Sequence, residues 1–242
     1  MSLVLVWDLD DTLIKTGYKY EKFIEEFVKE FFDGDINYHI QNIKSLDGER
    51  VLEFGFKPNR LIESMLMYAY HCDVYSLELE NWLRTYHNAF IKYGSYDLIM
   101  DSYNTLKDTL NTFSGVFNVI LTSGVEEIQR KKIISTGIND YIDGYKCIDH
   151  FKTTKDFKDY KKEFLQEFDI NDSTLFISIG NSLKSDIYPA IEAGYLGIYI
   201  ETNNGAHFYN MDKSYESYKQ FYSTVSKITI DDIIGLVDYW EL

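Results

Sequence analysis

The chain has 242 residues, of which 45% are apolar, so it is long enough for one large globular domain or for a domain that carries an insertion. Its formal net charge is −15, from 39 acidic and 24 basic residues, which argues against nucleic acid or an anionic lipid surface as a partner because phosphate groups bind to basic faces. No apolar stretch approaches the roughly 18 residues of a membrane span, and the apolar N-terminal run lacks the preceding basic residues of a secretory signal.

The two cysteines, Cys72 and Cys147, lie far apart and without the spacing of a metal site. We expect both to be buried thiols in a reducing compartment. Together with the missing signal, this predicts a cytoplasmic protein. Nothing in the composition indicates an oligomeric state.

The first strand is predicted at Leu3–Trp7, an unbroken apolar run that is typical of a strand buried on both faces. Asp8 and Asp10 follow it directly, at the strand end where open α/β sheets place their ligands. Like charges this close persist only if a cation, a shared proton or water compensates them. Taken alone, the motif is also compatible with an acidic turn that has no chemical role.

Residues 18 to about 93 show helical patterns and almost no strand pattern. Apolar residues recur there at helical spacing, around Tyr20–Phe31, Leu61–Ala69 and Leu79–Phe90, and Pro58 suits the start of the second helix. This predicts a small all-helical module at residues 17–93, inserted after the first strand of an α/β core made of residues 1–16 and 94–242. The histidines of this region are expected to be packing or surface residues: His39, His71 and His87.

Strands and helices alternate in the rest of the chain. The predicted strands are Val116–Leu121, Thr174–Ile179 and Leu196–Ile200, and the predicted helices are Val125–Thr136, Asp156–Phe168 and Ser185–Ala193. Glycines just past two of these helices suit helix ends. The alternation predicts a Rossmann-like parallel sheet covered by helices, and hence the α/β class.

Two further polar segments follow predicted strands. Thr122 and Ser123, with the glycine after them, precede a helix start, where hydroxyls, backbone N–H groups and the helix dipole suit an anion; a capped turn is the alternative. Asn181 and Asp186 follow the third strand and offer oxygen ligands for a hard cation such as Mg²⁺, although an acid near a helix start is common without any metal.

A basic run lies between these two segments, and one of its lysines is expected to reach a phosphate while the others form a solvated helix face. The run contains Lys152, Lys155, Lys158, Lys161 and Lys162.

In this order, the segments resemble the four motifs of the haloacid dehalogenase-like (HAD) phosphohydrolase superfamily. The strongest is Asp-Leu-Asp-Asp-Thr-Leu after an apolar strand, supported by Ile-Leu-Thr-Ser-Gly and by Gly-Asn-Ser-Leu-Lys-Ser-Asp-Ile-Tyr-Pro-Ala-Ile-Glu-Ala-Gly. The resemblance covers most of the chain. The inserted helices are similar to the family's mobile cap, which predicts hinges near Lys15–Gly17 and Lys92–Ser95.

The resemblance implies that Asp8 is the nucleophile that takes the phosphoryl group. It makes Asp10 the general acid/base, with its backbone carbonyl on Mg²⁺, and it assigns the phosphate to Thr122 and Ser123. An aspartate with a reference pKa of ~3.9 is ionised at neutral pH, so Asp8 needs no base. Proximity to Asp8 is expected to raise the pKa of Asp10, and Mg²⁺ is expected to oppose that rise.

Asn181 and Asp186 complete the Mg²⁺ site by the same resemblance, together with Asp8 and Asp10. Asn181 departs from the pattern, because many relatives have an aspartate there, and an amide oxygen binds the cation more weakly. Lys155 is chosen as the phosphate-neutralising lysine because it directly precedes a helix and lies at a family-like distance from Gly180. Lys152 and Lys158 stay open.

The sequence therefore predicts a Mg²⁺-dependent phosphohydrolase that acts on a small phosphorylated metabolite, of the sugar phosphate or nucleotide monophosphate class, through an aspartyl-phosphate. Asp10 argues against a dehalogenase, because a halide needs no proton on leaving. A phosphomutase would use the same core residues. A phospho-accepting domain and a binding protein without turnover are the non-enzymatic alternatives.

Overall fold

In the described part of the chain, six parallel strands form one sheet at the centre of the protein. The computed structural model describes residues 2–55, 59–92, 94–96, 98–149, 155–171, 173–201 and 213–240. The strands are β1 (Leu3–Trp7), β2 (Val116–Gly124), β3 (Gly144–Asp149), β4 (Leu175–Gly180), β5 (Leu196–Ile200) and β6 (Tyr222–Val225), in the spatial order β3-β2-β1-β4-β5-β6. The order reverses between β1 and β4, and ligands of open α/β sheets bind at such a reversal.

Helices cover both faces of this sheet. They are α5 (Ser102–Thr112), α6 (Glu126–Ser135), α7 (Phe157–Glu167), α8 (Tyr188–Glu192) and α9 (Ile230–Trp240). Alternate residues of β1 explain its unbroken apolar run: Leu5 and Trp7 pack with α5, α6 and α9, while Val4 and Val6 pack with α7 and α8. A strand buried on both faces has no position for an unpaired charge, so the chain leaves the sheet at its first acid.

Four helices that the structure describes between β1 and β2 form the cap. They are α1 (Thr16–Phe31), α2 (Ile36–Phe54), α3 (Arg60–His71) and α4 (Leu77–Tyr86), followed by a π-helical turn at His87–Lys92. They enclose a hydrophobic cluster of their own, separate from the clusters on the sheet, in which Phe27, Met65 and Leu83 are fully buried. The fold is therefore an α/β core with a helical cap, as the sequence predicts. Within the described ranges, no helix is both long and apolar enough to cross a bilayer.

The described strands and helices also depart from the predictions. The central strands lie within a few residues of their predicted bounds, but β3 and β6 were not predicted. The predicted helix Ser185–Ala193 is instead a π-helical turn at Leu183–Ile187 followed by the short α8. Pro58 lies outside the described residues. Cys72 and Cys147 form no disulfide, and both are partly exposed rather than buried.

His87 is predicted to make the cap acid-sensitive. It is 4% exposed, and burial, with Lys92 nearby, lowers the pKa of its imidazole to about 4. Between pH 6.5 and 4, His87 is protonated in the unfolded chain but stays neutral in the folded cap, so the free energy of unfolding falls as the pH falls. We expect acidification from pH 7.5 to 4.5 to cost wild type about 2–3 kcal/mol more than His87→Gln, measured by urea unfolding of both proteins. Parallel pH dependences for the two proteins would contradict this.

Candidate active site

The predicted site residues converge at the carboxyl ends of three neighbouring strands. In the register, Trp7 pairs with Ile120 of β2 and with Ile179 of β4, so the segments that follow β1 and β4 start at the same level, beside the end of β2. The backbone N–H of Asp8 donates to the carbonyl of Ile179 at 2.8 Å, which fixes the start of the loop after β1. Parallel pairing therefore brings together residues that are far apart in the sequence.

Lys155 lies between two of the acids. Its Nζ donates to Oδ1 of Asp8 at 2.9 Å and to Oδ1 of Asp186 at 2.7 Å, and the residue is only 5% exposed. Burial disfavours its ammonium, but Asp186 and Asp8 outweigh burial, so the pKa of Lys155 is raised. Lys158 is exposed on α7, and Lys152 lies outside the described residues.

Asp8 is a strongly desolvated carboxyl. Burial raises its pKa to about 7. The positive charge of Lys155 opposes this rise, and the negative charge of Asp186 adds to it. Burial therefore favours the neutral form of Asp8, whereas its reference pKa predicts an ionised carboxylate. A positive charge placed beside Asp8 favours its anion.

Asp10 is surrounded by donors from two other parts of the chain. Lys132 Nζ donates to its Oδ1 at 2.6 Å, Gln129 Nε2 donates to its Oδ2 at 2.7 Å, and the Thr16 hydroxyl donates to Oδ1. Burial favours the neutral acid, but Lys132 first and then the hydrogen bonds outweigh it, so the pKa of Asp10 is lowered. The prediction that proximity to Asp8 raises this pKa is wrong, because a lysine from α6 pairs with the carboxylate.

Thr122 and Ser123 form the last part of β2, before α6 begins. Thr122 is buried and Ser123 is half-buried. Gln129 Nε2 donates to Oγ1 of Thr122 at 2.7 Å and to the carbonyl of Ser123 at 2.9 Å. Because the Thr122 oxygen accepts this bond, its own proton can be donated to another acceptor, such as a phosphate oxygen.

The oxygen donors near Asp8 fit a hard cation in type. Asn181 and Asp186 are both buried, and Mg²⁺ is typically held by one or two carboxylates, further oxygens and water. Both oxygens of Asp186 already accept protein hydrogen bonds, Oδ2 from the Ser182 N–H at 2.9 Å and Oδ1 from the Ser185 hydroxyl at 3.0 Å, besides Lys155. No cluster of three or more His, Cys, Asp or Glu side chains in the described part of the chain is arranged to hold a metal.

Comparison with protein families decides what this arrangement belongs to. The model of the haloacid dehalogenase-like hydrolases matches residues 5–200, which include the cap and all the residues above. The chain belongs to the HAD-like hydrolases. The resemblance seen in the sequence is thereby confirmed. No curated protein shows significant sequence similarity to the chain.

Solved structures share the fold of this HAD-like hydrolase. A HAD-like family hydrolase from Xanthomonas campestris is 18% identical, with 99% of this chain and 98% of that one covered and a TM-score of 0.70. A HAD hydrolase from Bacillus subtilis with bound magnesium is 15% identical, with 100% and 99% covered and a TM-score of 0.65. A predicted phosphatase from Clostridium acetobutylicum is 15% identical, with both chains fully covered and a TM-score of 0.56. Dehalogenases also share the fold, so these matches do not separate the two activities.

Sequence reasoning missed three residues that contact Asp10 in this HAD-like hydrolase: Thr16, Gln129 and Lys132. A signal for two of them exists in α6. Gln129, Lys132 and Ile133 follow the i, i+3, i+4 spacing of an inward face, and all three are buried. Polar residues within a buried stripe need partners, and the acids after β1 are the partners that the sheet brings near.

Proposed function

We propose that this HAD-like hydrolase is a Mg²⁺-dependent phosphatase that acts on a small phosphorylated metabolite through an aspartyl-phosphate on Asp8. The observation that carries the proposal is a second carboxyl, Asp10, in the loop that also carries Asp8. Three donors, from Thr16, Gln129 and Lys132, hold this carboxyl in place. Departure of a halide requires no acid, whereas an alkoxide leaving group requires a group that donates a proton to it. A dehalogenase has no leaving group for Asp10 to protonate.

In the first step, an oxygen of Asp8 attacks phosphorus and the bond from phosphorus to the ester oxygen breaks. The leaving oxygen takes the bonding electrons and a proton from Asp10. Lys155 offsets the charge of Asp8, and Thr122 and Ser123 are proposed to donate to the phosphate oxygens, so the approach of two anions is made favourable.

In the second step, water attacks the phosphorus of the aspartyl-phosphate and gives its proton to Asp10. Phosphate leaves and Asp8 is regenerated. The low pKa of Asp10 in the protein without substrate means that it starts as a base, so its protonation has to accompany substrate binding in the first step.

The proposed ligands of Mg²⁺ are Asp8, the backbone carbonyl of Asp10, Asn181 and Asp186. Mg²⁺ supplies positive charge that neutralises the phosphoryl group and the nucleophile. Lys155 and the hydrogen bonds from Ser182 and Ser185 fix the carboxylate of Asp186, which contributes negative charge to this site. The amide at Asn181 lowers that charge by one relative to an aspartate.

Residues 17–93 are proposed to close over this site and to select the substrate, with hinges near Lys15–Gly17 and Lys92–Ser95. One contact at the first hinge supports this. The N–H of Gly17 donates to Oδ1 of Asp11 at 2.7 Å, and a Cβ at Gly17 would lie 2.7 Å from the other oxygen of that carboxyl. The start of α1 is therefore tied to the catalytic loop, and a side chain at position 17 would have to displace the Asp11 carboxyl.

Phosphate release from a panel of phosphorylated sugars, nucleotides and small acids tests the proposal. We expect release from at least one member with Mg²⁺ and none with EDTA, since charge neutralisation by the cation is required. The ranking within the panel would identify the leaving group. Interconversion of phosphate positions without release would favour a phosphomutase. Release of halide from a 2-haloacid, with no phosphate release from any ester, would contradict the proposal.

A further inference from the structure

Helix α6 carries a pair of buried polar side chains that face the catalytic loop. Gln129 and Lys132 lie one helical turn apart, and neither belongs to the strand-end segments that carry the proposed nucleophile, phosphate and metal residues. Each holds a different oxygen of Asp10, Lys132 the Oδ1 and Gln129 the Oδ2. With both oxygens held from one rigid element, the carboxyl plane of Asp10 cannot rotate without breaking a bond.

Lys132 is itself held from a second direction. Its Nζ lies 5.2 Å from the ring centroid of Tyr96, a residue that is 4% exposed, which is a cation–π distance. Tyr96 in turn donates its hydroxyl to the carbonyl of Ile91 at 2.6 Å. The ammonium is therefore confined between Asp10 and an aromatic face.

Gln129 links the two halves of the site. The same Nε2 that donates to Asp10 also donates to Oγ1 of Thr122, at 2.7 Å in each case. The distance between the acid/base and the phosphate-binding hydroxyl is thus set by one amide.

We propose that Lys132 and Gln129 are positioning residues for Asp10, which hold its carboxyl in line with the water that attacks the aspartyl-phosphate. The inference rests on the proposed function. It assigns to α6 a role in turnover beyond its packing against the sheet. In the step concerned, the water oxygen bonds to phosphorus, the bond from phosphorus to the Asp8 oxygen breaks, and Asp10 takes the water's proton.

Kinetics on p-nitrophenyl phosphate isolate this step. Nitrophenolate leaves with little need of a proton, so phosphoryl transfer to Asp8 depends weakly on Asp10, while hydrolysis of the aspartyl-phosphate depends on it strongly. We expect Lys132→Met to lower kcat by about 10²-fold and KM in proportion, so that kcat/KM stays within a few-fold of wild type. A pre-steady-state burst of nitrophenolate, with phosphorylated protein visible by intact mass, should appear in the variant. Asp10→Asn should show the same signature.

Three further variants keep the test decisive. Gln129→Leu removes one of the two α6 donors to Asp10 without leaving a buried charge. We again expect kcat and KM to fall together while kcat/KM changes little. Lys132→Arg keeps the charge and should recover part of kcat. Lys131→Met removes a positive charge from the neighbouring position of α6 and should leave kcat within about twofold of wild type.

An equal fall of kcat and kcat/KM in the Gln129 and Lys132 variants would overturn the inference, because general damage to the fold slows both steps. An unchanged kcat in Lys132→Met would also overturn it. Failure of the proposed function gives a different result, because the wild-type protein itself would then release no phosphate from any ester with Mg²⁺. That result would overturn the inference as well.

Discussion

Asp8→Asn is expected to abolish phosphate release, lowering kcat/KM by about 10⁴-fold or more on any substrate that the wild-type protein hydrolyses. The amide cannot form the acyl phosphate. Among the described residues, the other carboxylate paired with Lys155 is Asp186, which its donors hold in place. Phosphate release measures the loss. Intact mass after an acid quench should show a phosphorylated wild-type protein and an unmodified variant.

The same substitution should not unfold the protein. Burial raises the pKa of Asp8 to about 7, so the folded state favours the neutral form of this side chain more than the unfolded state does. A neutral amide of the same shape therefore costs little, and we expect an equal or higher melting temperature at pH 7. Asp11→Asn is the matched control. It changes a half-buried acid of the same loop whose pKa is also raised by burial, to about 6, and turnover should persist because Asp11 takes no part in the proposed chemical steps. Turnover by Asp8→Asn within tenfold of wild type would remove Asp8 as the nucleophile.

Lys155→Met is expected to destabilise the protein and to inactivate it. The substitution leaves Asp8 and Asp186 facing each other in a buried site without their cation, and breaking a buried ion pair costs about 3–5 kcal/mol. For a chain of this size that corresponds to a melting temperature lower by about 10 °C. Calorimetry and phosphate release from the same preparation measure both effects.

A double variant separates the two losses. Lys155→Met combined with Asp186→Asn removes one of the stranded charges, so part of the melting temperature should return while activity stays lost. Lys158→Met is the matched control, because Lys158 is an exposed lysine three residues further along the same run, and no change beyond about 1 kcal/mol is expected. A wild-type melting temperature in Lys155→Met would mean that the ion pairs contribute nothing to stability.

The central strands could be predicted because they are buried on both faces and so read as apolar runs; β1 and β5 have the predicted bounds. The edge strands β3 and β6 have no such run, since an edge is half solvated and tolerates Lys146 and Ser223 among its residues. Helix α2 was missed for a related reason. Of its described side chains only Ile43 is buried, and the other apolar ones among them are only partly buried or exposed, so its amphipathic pattern is weak.

The sequence by itself determined the order of the four central strands, the helical insertion after the first of them and the acids that end β1, because periodicity and adjacency are properties of consecutive residues. Tertiary structure decided which lysine of the basic run is buried beside Asp8. Lys155 and Lys158 are close in the sequence, but the fold places Lys155 against Asp8 and leaves Lys158 exposed on α7. It also decided that Lys132 pairs with Asp10 across 122 positions. The opposite shifts in the pKa of Asp8 and Asp10 follow from these contacts, because burial and pairing depend on neighbours in space.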